Sequence, residues 1–223
     1  MSDLSYCPKL ISEHEIFLRN SIEDDGILVH RHGFIKNLGY NLQYLEYLYY
    51  TSCSGRLHST VNSLTTKTFV ITGISIIEAI LWYVLKKNDL HTKIHWEKIK
   101  EFKCNEYSDH QKKRRQIVII EEKYDTPKEA EMTLDVMRKK VEAKKLLGVK
   151  EQVYKDINHL RKLRNKIHIH VLQNDKDTDW FKFNSKDISL VKKTLYSILT
   201  CELFSNSIEH VNIYDYLKET PNE

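Results

Sequence analysis

With 223 residues, 41% hydrophobic and 30% charged, the chain is long enough to bury a sizeable core and too apolar for general disorder. Six Gly and three Pro are too few for a turn-rich all-β protein, so a mainly α fold is expected. A net charge of +4 does not by itself announce a nucleic-acid partner, and the scattered Cys7, Cys53, Cys104 and Cys201 form neither a Cys-x-x-Cys pair nor a zinc-ligand spacing.

Scattered thiols fit a reducing compartment, and Met1 to Tyr6 lacks the basic-then-apolar pattern of a secretion signal, so a cytoplasmic location is expected. Residues 1–37 read as an irregular N-terminal segment, with Asp24-Asp25-Gly26 as a turn and Ile27-Leu28-Val29 as a short strand. A helical domain is expected over 38–210 and a tail over 211–223. Leu38, Leu42, Leu45 and Leu48 recur at helical spacing, and core packing accounts for the interleaved Tyr44, Tyr47 and Tyr49 better than base stacking does. That run is interrupted or ended at Thr51–Gly55.

Lys67 to Lys87 is the most hydrophobic helix, apolar nearly all round, and therefore belongs at the centre of a bundle. It is not read as a membrane span: its apolar part is short of the ~20 residues a span needs, and Glu78 interrupts it. An ionised carboxylate in a dry core is costly unless paired, so Glu78 is expected to meet a cation or face a cleft.

His91 to Cys104 reads as a short helix. Its His91-x-x-x-His95 spacing is too weak to imply a metal, and the histidines are given a structural role. Arg115–Ile120, rich in β-branched residues, is either an extended arm or a strand. Thr126-Pro127-Lys128-Glu129 has the N-cap, first-turn Pro and acidic third position of a helix start, and that helix is expected to reach Leu147 before Gly148 ends it. The next helix begins at Val149 and a final one runs from about Asp187 to Glu209, with Asp175–Asp179 as a polar loop.

The chemistry gathers on the helix after Gly148. Its apolar seam passes through Val153, Ile157 and Leu160, and then Arg164 takes the next slot. A guanidinium never deprotonates and carries five donors, so an Arg there implies a carboxylate partner or a cleft, and Glu78 is the candidate partner. His168 lies one turn beyond Arg164, so both can address one phosphate, whereas His170 reaches the same place only if the helix ends near Ile169. Asn165 points about 100° away from Arg164. An imidazole that titrates near neutrality, beside an Arg that stabilises a phosphorane, suits RNA cleavage. One Arg–His pair is half of an acid–base system, so a symmetric dimer is part of the expectation. Two basic runs complete the inventory: Lys112, Lys113, Arg114 and Arg115, and the cluster Arg161, Lys162, Arg164 and Lys166.

From about Val141 to His170, the long helix, the Gly148 break and the run His159-Leu-Arg-Lys-Leu-Arg-Asn-Lys-Ile-His168 resemble the third-helix region of HEPN domains. In that family an Arg, a polar residue, a short spacer and a His mark the RNA-cleaving members. The resemblance implies a HEPN-like bundle of four to five helices, here with the irregular N-terminal extension and room for one short β-like arm. It also implies a dimeric active site, metal-independent endoribonuclease activity without a cofactor, and a place in toxin or antiphage defence. Arg164 matches the motif Arg, Asn165 its polar follower, and His168 or His170 its His. Glu78 is counted with these catalytic residues, and Lys112–Arg115, Arg161, Lys162 and Lys166 as RNA contacts. Implied partners are RNA, a second copy, and an antitoxin or defence-complex protein, with no membrane. The family spacing favours His170, helical geometry favours His168, and no Tyr follows the histidine. The alternative is a catalytically silent helical module that binds RNA or protein.

Overall fold

Amphipathic stretches joined by short polar loops make most of this chain helical. The computed structural model describes residues 8–55, 57–103, 117–165, 183–204 and 208–218. The chain divides into a helical body, residues 1–89 and 133–223, and a β-ribbon unit, residues 90–132.

The body contains α1 (Ile11–Ser21), α2 (Arg31–Cys53), α3 (Ser59–Lys87), α4 (Leu134–Ala143), α5 (Glu151–Arg164) and α6 (Ser185–Leu199), followed by 3-10 turns at Glu202–Phe204 and Ile208–Leu217. Helix α3 packs against α2, α4, α5 and α6, the central place its all-round apolarity requires. It has the length and mean hydropathy of a membrane span, but most of its apolar stretch is buried inside the body. At Gly73 a Cβ would overlap Val191 Cγ1, so α3 and α6 approach at a point that leaves no room for a side chain. Asn184 caps α6: its Oδ1 accepts from the Lys186 amide at 2.9 Å, while its own amide donates to Asp187 Oδ2 at 3.0 Å.

Several expectations are corrected. Of the expected irregular segment 1–37, the described part is largely helical. Helix α1 turns His14, Phe17, Leu18 and Ser21 inward at helical spacing, and α2 begins at Arg31, seven residues before Leu38. The Asp24–Gly26 turn is present, with Gly26 at φ +77° and the Ile27 amide donating to Asp25 Oδ1, but Ile27–Val29 is no strand. The leucines of α2 are buried as expected, whereas Tyr44 and Tyr47 stack on each other outside the core. Nor is the end of the chain a mere tail: Ile213, Tyr214, Tyr216 and Leu217 are buried, and their segment packs on α1 and α6.

The ribbon unit pairs β1 (Lys93–Lys103) with β2 (Ile117–Glu129) in antiparallel register. Lys93–Lys103, most of the expected His91–Cys104 helix, is therefore a strand, and the Thr126–Glu129 start signal lies inside another. Pro127 is accommodated because the register slips between Ile94 and Trp96, leaving residues 124–127 without one-to-one partners, where a missing N–H costs no ladder bond. Helix α4 starts instead at Thr133, whose Oγ1 accepts from the Val136 amide, and it ends at Ala143, four residues short of the expected Leu147. The left-handed residue that closes α4 is therefore Lys145, at φ +51°, and not Gly148, which at φ +65° lies in the loop before α5.

Candidate active site

Helix α5 buries Val153, Ile157 and Leu160, the seam expected of it. In the last turn Leu163 is buried, 7% exposed, while Arg164 stays on the seam, about 20° round the helix from Ile157, with its side chain partly exposed as the final residue of α5. Arg164 nevertheless meets its expected partner: Nη1 donates to Glu78 Oε2 at 2.6 Å, joining the end of α5 to the middle of α3. The two side chains are 36% and 27% exposed, so this is a partly solvated ion pair rather than a dry one. Glu78 is thus a carboxylate that both pairs with a cation and reaches solvent.

Asn165 is the exposed C-cap of α5. Arg161 points a different way from Arg164, with Nε and Nη2 donating to Asn158 Oδ1 and Nε lying 3.6 Å from Asp135 Oδ1 on α4. Lys162 is exposed. Three cations in the last turn of α5 suit the negative end of the helix dipole and would give an anionic ligand a positive approach. His168, His170 and Lys166, like Lys112, Lys113, Arg114 and Arg115, lie outside the described residues. Among the described residues the site therefore comprises Arg164, Glu78 and Asn165. Among the described residues no cluster of His, Cys, Asp and Glu could hold a metal ion.

A cleft of about 570 Å³ lies elsewhere, at the opposite end of α5, among residues the sequence did not single out as a site; it is lined by Gly148, Gln152, Asp156, Lys193 and Cys201. Asp156 is nearly buried, and its Oδ1 accepts from Gln152 Nε2 at 2.7 Å while Lys193 Nζ stands 3.9 Å from Oδ2. Burial pushes the Cys201 thiol up, making it a poor nucleophile. Its polar lining comes from two helices about 40 residues apart in sequence, a juxtaposition no local spacing reveals. No protein-family model, curated protein or solved structure matches the chain.

Proposed function

We propose that this chain is a metal-independent endoribonuclease of the HEPN type, with Arg164 at the reacting phosphate and His168 or His170 as the proton-transfer group. The observation that carries the reading is the half-exposed Arg164 guanidinium at the end of α5, held through Nη1 by Glu78. A fixed, delocalised cation that solvent can reach suits a phosphate whose charge grows in the transition state. Glu78 acts as a positioning residue: it takes one edge of the guanidinium and fixes the direction of the rest. In such a site the imidazole accepts the 2′-hydroxyl proton as that oxygen attacks the adjacent phosphorus, and the 5′-oxygen leaves with a proton. Arg164 meanwhile neutralises the phosphorane. The second proton carrier comes from a second copy, and the activity belongs to a toxin or antiphage defence role in the cytoplasm.

Partial exposure also separates this reading from that of a silent module with a buried Arg164–Glu78 pair. A pair built only for structure gains little where water screens it.

The test is expression of the chain in cells alongside Arg164→Ala, His168→Ala and His170→Ala, with growth and total RNA integrity followed together. Growth arrest with RNA fragmentation is expected for the parent chain, lost in Arg164→Ala and in one of the two histidine variants. Arrest that persists in all three would overturn the assignment.

A further inference from the structure

A two-stranded ribbon is marginal in water on its own, and this one leaves both faces open. Every residue from Lys93 to Lys100 is exposed although successive side chains point to opposite faces, and Ile94, Trp96, Ile99, Phe102, Ile119 and Ile120 are each 43–58% exposed. Large apolar side chains in that state, spread over both faces, mark a docking surface, and charge decides which face. The two edges are the less suitable places to dock. β1 carries four lysines and an extra residue at Ile99, and β2 carries Pro127 in an unmatched stretch, the features that keep edge strands from pairing with another chain.

The register distinguishes the faces. On one face Trp96 stands opposite Lys123, Lys98 opposite Glu121, and Glu101 opposite Ile119. On the other, Glu97 stands opposite Glu122, a like-charge pair that disfavours association. The first face is self-complementary in a way that fixes a symmetry. A two-fold axis running along the strands, between two stacked ribbons, lays β1 of one copy over β2 of the other at the same height. Each cross-strand pair is then repeated between copies, with Trp96 over the second copy's Lys123 and Lys98 over its Glu121, twice each. The resulting squares alternate in sign, with cation–aromatic pairs at one end and ion pairs beside them. The strands as a whole agree, since β1 has four lysines against two glutamates and β2 four carboxylates against two lysines. An isologous contact of this kind closes at two copies, whereas pairing of β1 and β2 edges would propagate.

We infer that the Trp96–Lys98–Glu121–Lys123 face of the ribbon is a homodimer interface, its occupant the same face of a second copy. Within one chain Lys98 also pairs with Glu101 on its own strand, which orients it on this face. The inference concerns how two copies associate and stands whether or not Arg164 cleaves RNA.

The experiment is sedimentation velocity on the full chain over a concentration series. The parent chain should show a concentration-dependent dimer. Lys98→Glu and Glu121→Lys should each weaken it by roughly 10-fold or more, because like charges then face each other across the interface. Two rescues separate this from misfolding. A chain carrying both changes should dimerise again, and an equimolar mixture of the two single variants should form mixed dimers, since each supplies the charge the other lacks. A parent chain that stays monomeric, or single variants that dimerise as well as the parent, would overturn the proposal. So would a monomer whose ribbon retains a fluorescent single-stranded RNA and loses it on Lys98→Glu, which would make the face an RNA contact.

Discussion

Because Arg164 and Glu78 are both partly exposed, their ion pair contributes little to stability even at 2.6 Å. Exposed pairs are worth about 0–1 kcal/mol after screening and side-chain entropy. The Glu78→Gln change is therefore expected to cost less than about 1 kcal/mol in denaturant unfolding. If the pair instead anchored the bundle, the loss would be several times larger. In RNA cleavage the same substitution should lower the rate while leaving the pH profile set by the histidine unchanged. A shifted profile would show that Glu78 handles protons itself. The partnership of Arg164 with Glu78 was legible in the sequence because each broke an apolar pattern, and two such breaks in one bundle tend to find each other. Their exposure was not legible, because it depends on how much of the last turn of α5 the neighbouring elements cover. The cleft beside Asp156 left no local signal at all.

At the scale of elements, the crossing of α3 and α6 offers a sharper test of packing. Gly73→Ala places a methyl against Val191 Cγ1, and an overpacked contact of this kind typically costs about 1–3 kcal/mol. Val191→Ala in the same chain should recover part of that loss, so the double-mutant cycle is expected to show coupling in thermal unfolding. Additive losses would mean that the helices simply move apart. Elements with long periodic patterns were readable, since α2, α3, α5 and α6 each cover their apolar run, but their ends were not: α2 and α3 begin at Arg31 and Ser59 rather than Leu38 and Lys67, and α6 stops at Leu199 rather than near Glu209. The failures have a common physical origin. Thr126-Pro127-Lys128-Glu129 has the local chemistry of a helix start, but pairing with β1 across the ribbon outweighs it, and an irregular stretch of the ladder accommodates the proline. Helix α1 was missed because its inward residues include His14 and Ser21, which do not register as apolar.

At the scale of the whole molecule, His14 joins α1 to α2 and to the end of the chain. It is fully buried, its Nε2 is 4.0 Å from Glu46 Oε2, and its ring centroid is 5.9 Å from that of Tyr214. Burial holds the imidazole down to about 4 against 6.5 in the unfolded chain, with Glu13 opposing and Lys9 reinforcing the effect. Between those values the unfolded chain binds a proton that the folded chain does not. The contribution of His14 is therefore fully present above pH 6.5 and is lost as the pH falls toward 4, a total of roughly 3 kcal/mol at 1.36 kcal/mol per unit. Urea unfolding at pH 7 and pH 5 should show part of that loss in the parent chain and a flatter response in His14→Leu. Equal slopes in the two chains would contradict this account of the residue.

The end of the chain belongs to the same assembly, since Tyr214 and Leu217 are fully buried. Stopping translation before Ile208 should thus leave a chain that unfolds at markedly lower temperature, and unaltered melting would show that this segment is dispensable.

The measurement that bears most directly on the central claim is cleavage of total cellular RNA by the purified chain in excess EDTA, with Arg164→Ala matched to it by circular dichroism. The parent chain should release discrete fragments, and Arg164→Ala should do so slower by about 10² or more, the scale of losing one donor to a developing oxyanion. Equal cleavage by the two chains, or none by either, would contradict the account.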